Sequence, residues 1–120
     1  MALSELPQPT VPTAALVASV SADGTATVVT LRGEADLFTL PVVADVLARV
    51  IADSDGPVIV DLADTEFIDS GTVRALARAG QSLNDRGRTL TLRSPSSMAV
   101  QVVQLLGFSH LIEPDRMTAS

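Results

Sequence analysis

Strands and helices alternate along this chain in a way that predicts an α/β fold, a small mixed, mostly parallel sheet with helices packed on it. Three observations carry that expectation. Two β-rich runs near the start are separated by the turn-forming stretch Ser21-Ala-Asp-Gly24. Further along, apolar residues recur at spacings of three and four across residues 40–51, 73–83 and 98–106. Between those helical segments lie short runs of Val, Ile, Leu and Thr at 57–62 and 89–93. The order is therefore β-β-α-β-α-β-α. Strands separated by helices imply right-handed crossovers and parallel neighbours, with the opening hairpin at one side.

Taken in order, residues 1–13, with Pro7, Pro9 and Pro12, read as an extended tail before a single domain over 14–113. Ala14–Val20 and Thr25–Leu31 are the hairpin strands, and Arg32-Gly-Glu-Ala-Asp36 reads as a polar loop. In the first helix Leu40, Val43, Ala44, Leu47, Val50 and Ile51 share one face. Thr39 is expected to cap it, with Pro41 in its first turn. Asp53-Ser-Asp-Gly-Pro57 stops it. That stretch superficially resembles a calcium loop, but Ile51 and Leu62 would occupy the first and twelfth ligand positions, so the ligands are missing.

Pro57–Leu62, almost wholly apolar, is expected to be a strand covered on both faces. A short acidic loop then leads to a helix over Ser70–Asp85. Its inward residues are Val73, Leu76, Ala77, Gly80 and Leu83, and its outward ones Arg74, Arg78, Ser82 and Asp85. Gly87 suits a left-handed position after its end. Thr89–Arg93 alternates like a strand with one wetter face. Ser94-Pro95 reads as cap and first residue of a last helix, with Met98, Val102, Leu105 and Leu106 as its buried stripe and Gly107 as its stop. Phe108–Ile112 is a short strand or a packed turn, and 114–120 is a second tail.

Composition excludes several functions. Hydrophobic residues make up 47% of 120, yet the only aromatics are three Phe, so the core is aliphatic and platforms for stacking bases are few. A net charge of −6 argues against nucleic acid and anionic membranes as partners. Without Cys there is no thiol catalysis or thiolate metal site, and the single histidine, His110, does not make a His-rich metal centre. No cofactor is expected. The N-terminal residues lack the basic and apolar regions of a signal peptide, and no apolar run reaches the roughly 20 residues of a membrane span. A cytoplasmic location is the expectation.

The chain is organised around Val58-Ile-Val-Asp-Leu-Ala-Asp-Thr-Glu-Phe-Ile-Asp-Ser-Gly-Thr-Val-Arg-Ala-Leu76. Ser70 falls where a helix begins. On the residues alone it is either a cap for that helix or a hydroxyl exposed beside the positive end of its dipole. Asp36 and Asp69 both follow strands. If those strands are parallel neighbours, both loops meet at the carboxyl ends of the sheet, the usual face for a site. There they would orient Ser70 or contact a partner; as plain residues they are turn formers and caps.

The same stretch resembles the signature of the STAS domain family, the anti-sigma factor antagonists, in which a strand and loop lead to Asp-Ser-Ser/Thr-Gly-Leu opening a helix. Leu31-Arg-Gly-Glu-Ala-Asp36 is similar to the family's Gly-Glu-x-Asp element. Arg86–Leu92 and Ser94–Phe108 are similar to its closing strand and helix. The resemblance implies a STAS-like fold and places the family's phosphorylatable serine on Ser70. This chain departs from the pattern in having Gly71-Thr72 where the family has Ser/Thr and then Gly.

By this resemblance the chain is expected to sequester an anti-sigma factor that is itself a serine kinase, to be switched off when Ser70 is phosphorylated, and to be reset by a phosphatase. Asp36, Asp69, Gly71, Thr72, Arg74 and Arg78 are the expected partner contacts. Thr72 is expected to pack its methyl group and return its hydroxyl to the backbone. Two other readings stand beside this one. The first is a STAS module that serves assembly in a transporter or signalling complex. The second is a hydrolase built on Ser70, His110 and an aspartate, although Ser70 lacks the Gly-x-Ser-x-Gly elbow. Arg86, Arg88 and Arg93 read as solvated surface.

Overall fold

The computed structural model describes residues 15–114, so the expected tail 1–13 and all of the expected tail 114–120 but Pro114 lie outside the described residues. The strands are β1 (Leu16–Asp23), β2 (Ala26–Ala35), β3 (Val58–Asp61), β4 (Thr65–Ile68) and β5 (Leu90–Arg93). The helices are α1 (Leu40–Asp53), α2 (Ser70–Asn84) and α3 (Ser97–Leu105), followed by a 3-10 turn at Ser109–Leu111. The sheet runs β1-β2-β3-β5, with β1 antiparallel to β2 and the other pairs parallel. Ile112 bridges to Leu92 beyond β5.

Strand β4 corrects the expected acidic loop. β2 has 10 residues, but β3 pairs only with Thr27–Thr30, leaving the second half of β2 in need of a partner. β4 supplies it, pairing Gly33 with Thr65 and Ala35 with Ile68 around a register shift. The Thr65 hydroxyl donates to the Leu31 carbonyl at 2.6 Å and pins the two strands. For the same reason Arg32–Ala35 is strand and not loop: Leu16–Val17 and β4 flank it. Only glycine fits at position 33. Its φ is +114°, and an added Cβ would run into the Ala15 carbonyl oxygen.

Each parallel step, β2 to β3 and β3 to β5, moves in one direction across the sheet, so right-handed crossovers put α1 and α2 on the same face. That face holds Val29, Leu31, Val58, Val60, Leu90 and Leu92, all buried. Val43, Leu47, Val50, Val73, Leu76, Leu83, Ala99 and Val103 close over it. Among the described residues no helix covers the opposite face. There Thr30, Ile59, Asp61, Thr91 and Arg93 are only half-buried, which corrects the expectation that β3 is covered on both sides. Arg93 reaches Asp23 across this face at 3.8 Å and Glu113 at 3.3 Å, so it is not simply solvated.

Further expectations change within the helices. Ala44 is exposed, and α1 buries Val43, Leu47 and Val50. Thr39 makes no capping bond. Its hydroxyl turns back to the Glu34 carbonyl at 3.0 Å and accepts from the Asp36 amide at 2.9 Å. Ser94 lies at φ +54° and does not open α3; Ser96 does, accepting from the Ala99 amide at 3.1 Å. Helix α3 is apolar nearly all round, so two stripes competed. Ala99 and Val103 face inward, while Met98 and Leu105 are exposed. Arg88 donates to the carbonyls of Gly56 and Ile51 and to the Ser54 hydroxyl at 2.8–3.0 Å, clasping the end of α1. Gly87 takes the expected left-handed conformation, φ +73°.

Candidate functional site

The carboxyl ends of β2 and β4 meet side by side, since Ala35 is in register with Ile68 and the Asp69 amide donates to the Ala35 carbonyl at 3.0 Å. Asp36 and Asp69 are the next residues on these neighbouring parallel strands. The sequence therefore brought the right loops together, though the second belongs to β4 and not to β3.

The two aspartates have different local tasks. Asp36 Oδ1 accepts from the amides of Phe38 and Thr39 at 2.9 and 3.1 Å, folding residues 36–39 into a tight turn. That turn thrusts Leu37 and Phe38 into solvent, 71% and 87% exposed. Sequence reading missed both; the signal was two large apolar residues between a capping Asp and a helix start, off the α1 apolar stripe. Asp69 is the N-cap of α2, with extended backbone and Oδ1 accepting from the Thr72 amide at 2.8 Å. Ser70 is thus not the cap.

Ser70 is the first helical residue of α2. It is exposed, and among the described residues its hydroxyl makes no hydrogen bond. Asp69 satisfies the Thr72 amide with its side chain and the Val73 amide with its carbonyl, at 3.1 Å. The amides of Ser70 and Gly71 remain as the open donors of this helix end. Arg74, four residues after Ser70, and Arg78 are exposed along the outer face of α2, and neither forms an ion pair among the described residues.

Gly71 and Thr72 behave differently from one another. A Cβ at Gly71 would have only Asp69 Oδ1 near it, at 3.7 Å, so the backbone does not require glycine there. Thr72 is wholly buried, which corrects its place among the partner contacts, because helix geometry turns it about 200° from Ser70 into the core. Among the described residues its hydroxyl finds no hydrogen-bond partner, contrary to the expected return to the backbone.

His110 stands edge-on to Phe108, ring centroids 6.3 Å apart, and lines a cavity of about 240 Å³ with Gln81, Asn84 and Thr89. The cavity's α2 residue nearest Ser70 is Ala77, seven residues beyond it, roughly 10 Å at the helical rise. The geometry therefore does not bring His110 to Ser70 as a triad requires.

A family model described as Mlab, STAS domain, matches residues 18–113. The chain belongs to the STAS domain family. No curated protein matches it. Among solved structures, it is similar to the Bacillus anti-sigma factor antagonist SpoIIAA in its unphosphorylated form, at 19% identity and TM-score 0.69, covering 86% of this chain and 92% of that one. It is also similar to an anti-sigma factor antagonist from Mycobacterium paratuberculosis, at 25% identity and TM-score 0.69, over 87% and 90%. Part of the murine anion transporter Slc26a9 matches as well, at 17% identity and TM-score 0.62, over 72% of this chain and 14% of the transporter.

Proposed function

We propose that this chain is an anti-sigma factor antagonist, a binding module that captures an anti-sigma factor kinase while Ser70 is unmodified and lets go when Ser70 is phosphorylated. The observation that carries this reading is the state of Ser70: exposed, without a hydrogen bond, and relieved of capping by Asp69. The likeness to two anti-sigma factor antagonists supports it. In this reading the chain is the substrate of its partner's kinase and catalyses nothing itself; a phosphatase resets it.

The contact surface comprises the Leu37-Phe38 tip, Asp36, the Asp69–Gly71 entry and the outer face of α2 with Arg74 and Arg78. A phosphate on Ser70 adds about −1.5 to −2 charges and three strong acceptors. The open amides of Ser70 and Gly71 and the Arg74 guanidinium are the groups available to hold it. A partner fitted to a neutral hydroxyl and an apolar tip then meets a dianion. A hundredfold loss of affinity requires only about 2.7 kcal/mol.

A second reading, STAS-mediated assembly without phosphorylation, is favoured by Gly71-Thr72, which leaves no second accessible hydroxyl beside Ser70. Capture of partners from a lysate of the source cells, with mass spectrometry of the captured protein and of Ser70, separates the two. A co-purifying kinase that phosphorylates Ser70 and then dissociates supports the switch. A stable partner that never modifies Ser70 supports assembly.

A further inference from the structure

We propose that strand β1 is a self-pairing edge through which two copies of this chain join into one continuous sheet. The two edges of the sheet differ. Beyond β5 the edge is taken by Ile112 and Glu113, which bridge and hydrogen-bond to Leu92. Beyond β1, among the described residues, no strand follows.

The register shows which groups are left open. The Glu34 amide donates to the Ala15 carbonyl, so Ala15 and Glu34 form a hydrogen-bonded pair. In an antiparallel ladder such pairs alternate. Val17, Ser19, Ser21 and Asp23 therefore turn their amides and carbonyls toward β2, and Leu16, Ala18, Val20 and Ala22 turn theirs outward. Those outward groups form a template for another strand. β1 lacks the usual guards of an edge, having no Pro, no Lys and no bulge, and its one charge, Asp23, sits at its end.

A second copy fits this edge better than an unrelated strand because β1 is complementary to itself. A two-fold axis through Ser19 would pair Leu16 with Ala22 of the second copy and Ala18 with its Val20. Large residues then meet small ones in each pair on the helix-bearing face. On the other face Ser19 meets its own copy, and Asp23 meets no like charge. Beside this row lies a groove lined by Ala18, Val20, Pro41, Val42, Val46 and Arg49. Val20 and Val42 are exposed there. The α1 ridge along it carries Asp45, Arg49 and Asp53, and Arg49 pairs with Asp45 on its own helix at 3.2 Å, so the middle of the ridge is charge-balanced where a second copy would approach. Because the β5 edge is taken, pairing closes as a dimer and does not propagate. Helix α2 packs on α1, β5 and α3, so its outer face stays open in the dimer.

Sedimentation equilibrium of the purified chain tests this. We expect a reversible monomer–dimer equilibrium that Val20→Lys abolishes without loss of folded signal. The chain contains no Cys, so Ser19→Cys introduces a lone thiol at the axis, in a non-hydrogen-bonded pair whose close spacing favours a disulfide. Mild oxidation of S19C should give a covalent dimer, and S19C combined with V20K should not. A chain that stays monomeric at every accessible concentration overturns the proposal, as does a dimer that survives V20K. A monomer that dimerises only after residues 1–13 are deleted assigns the edge to that segment and equally overturns it.

Discussion

Asp69 and Ser70 are adjacent, yet replacing each by alanine should have opposite consequences. Asp69→Ala removes the carboxylate that accepts from the Thr72 amide at 2.8 Å and faces the positive end of α2. Loss of such a cap costs about 1 kcal/mol, and up to about 2 where the charge also meets the helix dipole. For a chain of this size that is a fall in Tm of about 4 °C per kcal/mol. Ser70→Ala removes an exposed hydroxyl that makes no hydrogen bond among the described residues, at a position where alanine is the better helix former. Its stability should stay within about 0.5 kcal/mol of the parent. Function divides the other way: S70A should accept no phosphate and keep its partner constitutively. D69A should still be labelled by the kinase with radioactive ATP, from a less firmly held helix start. Urea unfolding of both variants, followed by kinase assay and partner titration, reads all of these. The cap assignment is refuted if S70A is the destabilised variant and D69A the neutral one. Label persisting on S70A would refute the choice of hydroxyl.

The parts legible in the sequence were those written in local periodicity. The inward stripe of α2 at Val73, Leu76 and Leu83 follows from spacing alone, as does the left-handed Gly87 that ends its turn. Strand β4 was not legible, because Thr65, Phe67 and Ile68 are strand-forming types but four residues broken by Glu66 are too short a run to show a pattern. They are ordered by the unpaired second half of β2, a long-range demand. The caps failed for a related reason. Thr39, Ser70 and Ser94 are all capping types, but competing oxygens stood one to three residues away at Asp36, Asp69 and Ser96. Arg88 and Arg93 looked solvated because the carbonyls and carboxylates that receive them lie 20–70 residues away in the chain. At the site itself the convergence of Asp36 and Asp69 was inferable from strand order. The exposed Leu37-Phe38 tip was not, since only the Asp36 turn shows that α1 leaves these side chains outside.

Three further outcomes are expected. Arg88→Ala should destabilise the fold by about 2 kcal/mol by stripping the Gly56 and Ile51 carbonyls and the Ser54 hydroxyl of their donor, as thermal unfolding would show. Phe38→Ala should leave Tm unchanged, because the ring is 87% exposed, while weakening partner binding at least tenfold, or about 1.4 kcal/mol, in calorimetry. The last concerns Thr72, which is wholly buried with its hydroxyl unpartnered. A buried hydroxyl without a hydrogen bond costs about 1–3 kcal/mol of desolvation that nothing repays. Valine has the same branched shape and no polar atom, so Thr72→Val removes that cost without opening a cavity. Its helix propensity is close to that of threonine, so the backbone term nearly cancels. Thr72→Val should therefore raise stability by about 1 kcal/mol, at the low end of that range. Phosphate transfer to Ser70 should be unaffected, since Thr72 points about 200° away around the helix. Urea unfolding of the variant beside the parent measures the first effect, and labelled ATP the second. A variant less stable than its parent would show that the Thr72 hydroxyl does find a partner in the folded protein. Loss of label would place Thr72, against its burial, in the kinase's reach.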